Sequence, residues 1–599
     1  MGEIELTRDK TADQTRPARW AWPGLAAIVV VYCALAIAQS FATRPQWGPD
    51  EPAHIIYVRS LGMDLHFPAL THGEQDNAYL PGASRSHEAH QPPLYYALAG
   101  LVWHAFSGLP DKAVTYRDKA TGEPRTFTVP GAVRPVRLLS VVFGAITLLF
   151  VWAMARTAFP ERPELWLGAT AMVGFTPMFT YLSGVINNDS LLALIFAAIG
   201  WQSARAIRFG AGLREALLIG LLLGLALNVK ETALGFLPVT LLVLAVAGGS
   251  KPWRGRLTNM LAAIALAALL GGWWFLRKWA IYGTPFVYPF VYPLLGLRPE
   301  EKSLLLLALP RQIFLFSVLP YDVIKEKVSI GLLSRFFGVL AVLAAGGFAL
   351  ALARRKRLAT PRWEILTLLI WLAAGAVVLA GLVRNVLTVD WRMGTSGGRY
   401  LVSVLPLVAP VAARGLWALF GGGPVAAQAS RLHCNDAGRP GRWAQVGLAV
   451  VVALLLAANV YVIWGTASEY GTLGLSAHRG AVFFANRESF HCISPYMSVN
   501  REGTGAVMKA NNIQPIEREL NGAVVTLIGD ANSGVGLMDR FDSDSWPKER
   551  AAEALLARMD RTATGYVRRS EVLNSVIRSK KVRQHVAWTT ASRERRLHS

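Results

Sequence analysis

Eleven apolar runs, each long enough or nearly long enough to cross a bilayer as a helix, dominate this chain. They lie near residues 21–42, 135–155, 164–185, 190–207, 215–229, 232–248, 257–278, 329–352, 363–383, 399–419 and 443–465. Backbone amides inside hydrocarbon must pair internally, so such runs fold as helices. The expectation is an α-helical polytopic membrane protein with about eleven transmembrane helices. Pairs 215–229 and 232–248 are the shortest, with only Lys230 and Glu231 between them. A twelfth run, Leu94 to Phe106, is short and carries Trp103 and His104, so it reads as an amphipathic juxtamembrane helix lying on the outer surface.

Net charge sharpens this reading. Lys and Arg number 61 against 39 Asp and Glu, a formal +22, which would also suit a nucleic-acid binder. However, charged residues are only 17% of the chain, and many of the basic ones fall in short loops between apolar runs. With the N-terminal tail placed inside, the loops holding Arg156 and Arg162, Arg205 to Arg214, Lys251 to Arg256, Arg354 to Arg362, and Arg431 to Arg442 all fall on the cytoplasmic side. Nucleic acid is therefore not the expected partner; the lipid bilayer is.

This arrangement divides the chain into a basic cytoplasmic tail (1–20), a membrane module (21–465) with large outer loops at 43–134 and 279–328, and an extracytoplasmic segment (466–599). The last segment has a strand-like run, 522–528, and a helix-like run, Lys548 to Met559, suiting a small α/β unit of unassigned role. Three cysteines lack zinc-site spacing and exclude a disulfide scaffold.

Unusual polar residues collect on the outer side. Trp47-Gly48-Pro49-Asp50-Glu51-Pro52-Ala53-His54 follows the first run; Pro52 suits a first helical turn, and Glu51 and His54 share a face. A plain helix cap with a solvated histidine is the alternative. His87-Glu88-Ala89-His90-Gln91-Pro92-Pro93-Leu94-Tyr95-Tyr96 leads into the juxtamembrane helix; its His-x-x-His is either a metal pair or two solvated rings. Asn187-Asn188-Asp189-Ser190 is either a capped turn or part of a site. Lys230, Arg277 with Tyr282, and Arg399 with Tyr400 place cations at outer helix ends, against the positive-inside trend. Acids, cations and histidines converging at one membrane face suit a phosphate-bearing lipid.

These motifs, in this order, resemble the polytopic GT-C glycosyltransferases, with protein mannosyltransferases and aminoarabinose-transferase-like enzymes nearest. The resemblance covers residues 20–465 and rests on Asp50-Glu51, Gln91 to Tyr96, Asn188-Asp189, the Arg277 to Pro285 stretch and Arg399-Tyr400. It implies a GT-C-like bundle in the plasma membrane that moves a sugar from a polyprenyl-phosphate carrier to an extracytoplasmic glycan, lipid or protein acceptor, with inversion. Asp50 would be the base, Glu51 its partner and Asp189 a second acid. His54, Gln91, Tyr95, Asn188, Lys230, Arg277, Tyr282, Arg399 and Tyr400 would bind substrate, and Asp50, His90 and Asp189 would hold a divalent cation (Mg or Mn). The aminoarabinose-transferase-like pattern has Glu-Lys-Pro where this chain has His90-Gln91-Pro92, so its lysine is absent. A secondary transporter, or a glycan polymerase or export component, is the alternative. Transporters place ionisable groups near mid-bilayer, whereas here they crowd one surface.

Overall fold

The computed structural model describes residues 19–70, 87–117, 124–247, 252–286, 310, 313–320, 327–356, 360–388, 397–422, 442–470 and 472, with five short strands between 496 and 568. The membrane module is helical. In chain order come α1 (Ala21–Ala42), α2 (Glu51–Asp64), a 3-10 turn (His87–His90), α3 (Leu94–Ala105), a hairpin of β1 (Lys112–Arg117) and β2 (Pro124–Val129), and α4 (Val133–Ala158). They are followed by α5 (Pro163–Gly174), α6 (Pro177–Ser183), α7 (Asp189–Phe209), α8 (Leu213–Leu227), a 3-10 turn (Glu231–Gly235), α9 (Phe236–Ala247) and α10 (Trp253–Tyr282). Last come α11 (Lys327–Ala353), α12 (Arg362–Thr388), a 3-10 segment (Gly397–Val404), α13 (Leu405–Leu419) and α14 (Arg442–Tyr470).

Eight stretches among the described residues are long and apolar enough to cross a membrane, and a ninth span forms if α5 and α6 count as one helix bent by 61°. The other two runs read from the sequence form shorter helices: α8 has 15 residues and α9 has 12. At about 1.5 Å per residue neither reaches across a hydrocarbon core of about 30 Å without help from flanking residues. α3, also of 12 residues, packs on α2, as expected of a juxtamembrane helix. Exposed Trp20, Trp22, Trp253 and Trp443 sit at the starts of α1, α10 and α14, the placement expected at a membrane–water boundary.

The bend between α5 and α6 has a local cause. Pro177 opens α6 and cannot continue the hydrogen-bond ladder of α5. The carbonyl of Phe175, left at the break, accepts from Asn459 Nδ2 of α14 at 3.2 Å, and Asn459 also pairs with Thr180 Oγ1. Asn459 is fully buried, so the amide serves this break rather than solvent.

Helix pairs approach closely where glycines meet. A Cβ on Gly415 of α13 would stand 2.1 Å from the Ala344 carbonyl of α11, and one on Gly347 only 2.0 Å from the Gly415 carbonyl. Gly415→Val should therefore force the two helices apart and cost about 1–3 kcal/mol, as overpacking does, read as a lowered thermal midpoint in detergent.

Beyond the bundle, β3 (Tyr496–Val499), β4 (Ala506–Val507), β5 (Ile513–Leu520), β6 (Ala523–Asp530) and β7 (Tyr566–Arg568) form one sheet in the order β5-β6-β4-β3-β7. The strand expected at 522–528 corresponds to β6. The helix-like run from 548 to 559, and most of the 279–328 loop, lie outside the described residues.

Candidate active site

Five helix junctions meet at the end of the bundle opposite those tryptophans, around a small polar cavity. It is lined by Pro49, His54, Glu88, Gln91, Leu182, Asn187, Asn188, Asp189, Lys230, Arg399 and Tyr400. Asp50 stands just before α2 in the left-handed region, with φ of 55°. An aspartate tolerates that conformation better than most side chains. Its carboxylate does not cap α2 and instead pairs with Arg399. On the other side Asp189 Oδ1 pairs with Lys230 Nζ at 2.5 Å. Tyr400 sits between the two cations: Lys230 Nζ lies 4.4 Å and the Arg399 guanidinium 5.3 Å from its ring centre. Two acid–cation pairs thus flank one aromatic ring, each with its cation toward the ring.

The cavity wall retains unused hydrogen-bonding capacity. Arg399 Nε and Gln91 Oε1 are buried and have no hydrogen-bond partner among the described residues. Asn187 takes the capping role, its Oδ1 accepting from the amides of Asp189 and Ser190, which leaves the Asn188 and Asp189 side chains facing the cavity. His54 Nδ1 lies 2.9 Å from Tyr96 Oη, whose ring stacks on Tyr57 at 3.9 Å. Tyr57 in turn donates to the Gln91 carbonyl, tying α2 to the turn before α3.

Burial pushes the phenols of Tyr57, Tyr95 and Tyr96 well up from their usual value near 10. The unfolded chain releases these protons near pH 10, while the folded chain holds them. Stability is therefore fully present below about pH 10 and declines as pH rises above it. Thermal midpoints recorded from pH 8 to 11 should fall at the alkaline end, and Tyr57→Phe should flatten that fall.

Several residues expected at the site lie elsewhere. Tyr95 is fully buried against α4, its hydroxyl 3.1 Å from Ser140 Oγ. Arg277 stacks on Trp274 and donates to the Phe67 carbonyl, and Tyr282 Oη accepts from the Leu70 amide; neither lines the cavity. Glu51 faces away from the cavity and is fully buried, its carboxylate bound by Arg137 at 2.6 and 2.7 Å. Two residues not assigned from the sequence enter the account: Glu88 in the wall and Arg137 behind it.

The expected divalent-cation set does not assemble. Among the described residues no group of three or more His, Cys, Asp or Glu is placed to hold a metal ion. Asp50 and Asp189 are each clasped by a cation, and His90 does not line the cavity, its carbonyl accepting from Trp274 Nε1. Carboxylates already neutralised in this way are poor donors for Mg or Mn.

Residues 131–274, roughly a quarter of the chain, match the family model described as dolichyl-phosphate-mannose-protein mannosyltransferase. The matched stretch runs from just before α4 into α10 and holds Arg137, Asn188, Asp189 and Lys230. Among solved structures, ArnT from Cupriavidus metallidurans bound to undecaprenyl phosphate is similar at 12% identity and a TM-score of 0.39, over 80% of this chain and 78% of that one. The oligosaccharyltransferase AglB of Archaeoglobus fulgidus, in complex with an inhibitory peptide and a dolichol-phosphate, is similar at 13% identity and a TM-score of 0.42. That match covers 76% of this chain and 56% of AglB, so the chain spans little more than half the oligosaccharyltransferase. No curated protein matches the chain.

Proposed function

We propose that this chain is an integral-membrane glycosyltransferase of GT-C type that transfers a sugar from a polyprenyl-phosphate carrier to an acceptor hydroxyl on the extracytoplasmic side. One observation carries the reading: Asp189, Lys230, Arg399 and Tyr400 line one polar cavity at the end of an apolar bundle, Asp189 paired with Lys230 and Arg399 held from behind by Asp50. The mannosyltransferase family model over 131–274 supports the donor class. The basic loops support the orientation, with the N-terminus cytoplasmic and the sheet segment outside.

The chemistry follows from the groups present. The donor's phosphate seats against Lys230 and Arg399, whose Nε has no partner among the described residues. Asp50, with 16% of its side chain accessible, takes the proton of the acceptor hydroxyl as the new oxygen–carbon bond forms at the anomeric centre. The bond from that carbon to the phosphate oxygen breaks, and the lipid phosphate leaves with the electron pair, its growing charge offset by the two cations. Attack opposite the leaving group inverts the centre. Gln91 Oε1 is an acceptor for a sugar hydroxyl. Charge placement favours transfer over transport. The buried ion pairs Lys278–Glu231 and Arg414–Glu364 join helix ends, as do the pairs at the site, and none marks a mid-bilayer path.

The test is reconstitution of the full chain in proteoliposomes with a panel of radiolabelled polyprenyl-phosphate sugars and lipid, glycan and peptide acceptors. Label appearing covalently on an acceptor is the expected result. Flux of a free solute with no covalent product would replace the enzyme with a transporter.

A further inference from the structure

We infer that Arg137 is a positioning residue for the transfer reaction, holding Asp50 and Asp189 in register through Glu51; the inference rests on the proposed glycosyltransferase reading. Arg137 lies on α4 and is fully buried, so it touches no substrate. A guanidinium has five N–H donors, and the structure gives Arg137 five acceptors. Nε donates to Glu51 Oε1 at 2.7 Å, and Nη2 to Glu51 Oε2 at 2.6 Å and to the Arg44 carbonyl at 3.2 Å. Nη1 donates to the Ser40 carbonyl at 2.7 Å and the Thr43 carbonyl at 2.9 Å.

Glu51 is used as completely. Besides Arg137 it accepts from the Gly48 amide at 3.2 Å and, across the bundle, from the Ile186 amide at 3.0 Å. One ion pair therefore joins the end of α1, the loop to α2, α4 and the turn before α7. Asp50 is the residue next to Glu51, and Asp189 comes three residues after Ile186. The distance between the two acids is set through this junction, because each is attached by a few bonds to one of its arms. A buried pair of this kind is weak evidence for stability, and fixing one geometry is a better-attested use. Its place directly behind the cavity gives that geometry a purpose.

Removing one partner alone leaves a buried charge and risks misfolding, so the decisive variant is the neutral double substitution Glu51→Gln with Arg137→Gln, beside Arg137→Lys. Each is reconstituted as the full chain and compared at equal folded amount. The expected result is a fall in kcat of about a hundredfold, the cost of misplacing reacting groups by about 1 Å, with KM for the donor within threefold. A folded double variant with kcat within threefold of the parent overturns the inference. So does a raised KM at unchanged kcat, which would make Arg137 a binding residue. Hydrogen–deuterium exchange supplies a second arm that needs no activity: residues 44–50 and 184–190 should exchange faster together in the double variant. Unchanged exchange in either segment overturns the inference. If the parent protein transfers no sugar from the panel, the glycosyltransferase reading fails while exchange still judges the junction.

Discussion

Asp50→Asn lowers kcat for sugar transfer by about a thousandfold, within the range for loss of a general base, and leaves the protein folded and in the membrane. The same change should tighten donor binding. Asp50 occupies Arg399 in the structure, and an arriving phosphate must compete with that carboxylate. Asparagine keeps the shape and removes the competing charge, so undecaprenyl phosphate, used as a non-transferable probe, should bind severalfold more tightly. Slower turnover with tighter binding separates a base from a phosphate contact; Lys230→Met should instead weaken probe binding. Full transfer by Asp50→Asn would remove Asp50 from the mechanism.

Arg414→Ala is expected to produce the largest loss of stability. Arg414 of α13 donates to Glu364 of α12 at 3.0 Å, and both side chains are 1% exposed. Deleting the cation leaves a buried carboxylate without its partner, which costs about 3–5 kcal/mol. The double substitution Arg414→Met with Glu364→Leu fills similar volume with no charge and should recover most of that loss. Unfolding of the purified protein in mixed micelles checks both. Equal loss in the single and double variants would mean that packing, rather than charge, holds this contact.

How far the site could be read in advance depended on helix ends. Asp50, Asn188, Asp189, Lys230, Arg399 and Tyr400 interrupt long apolar runs, and a polar residue at the mouth of a span has few other places to go. All but Asp50 meet in the wall of one cavity, and Asp50 reaches it through Arg399. Helical phase was harder to read. Tyr95 and Tyr96 are neighbours, yet successive helical positions differ by about 100°, so Tyr95 turns to Ser140 while Tyr96 reaches His54. Arg277 and Lys278 divide in the same way: the first stacks on Trp274, and the second pairs with Glu231. Arg137 was missed because one basic residue at the start of an apolar run reads as its flank. Only tertiary structure brings Glu51 to it from 86 residues earlier. The expected metal ligands do not gather into one group among the described residues, since sequence lists potential ligands but not the cations that hold Asp50 and Asp189.

The bond from Asn459 to the break between α5 and α6 bears on how the protein is made. Thr180 and Asn459 are separated by 279 residues, and the break they secure lies just ahead of the turn that carries Asp189. During synthesis the acid therefore emerges early, while the amide that steadies its support arrives with α14. A nascent chain halted before α14 would hold every side chain of the cavity wall and lack the amide that satisfies this break.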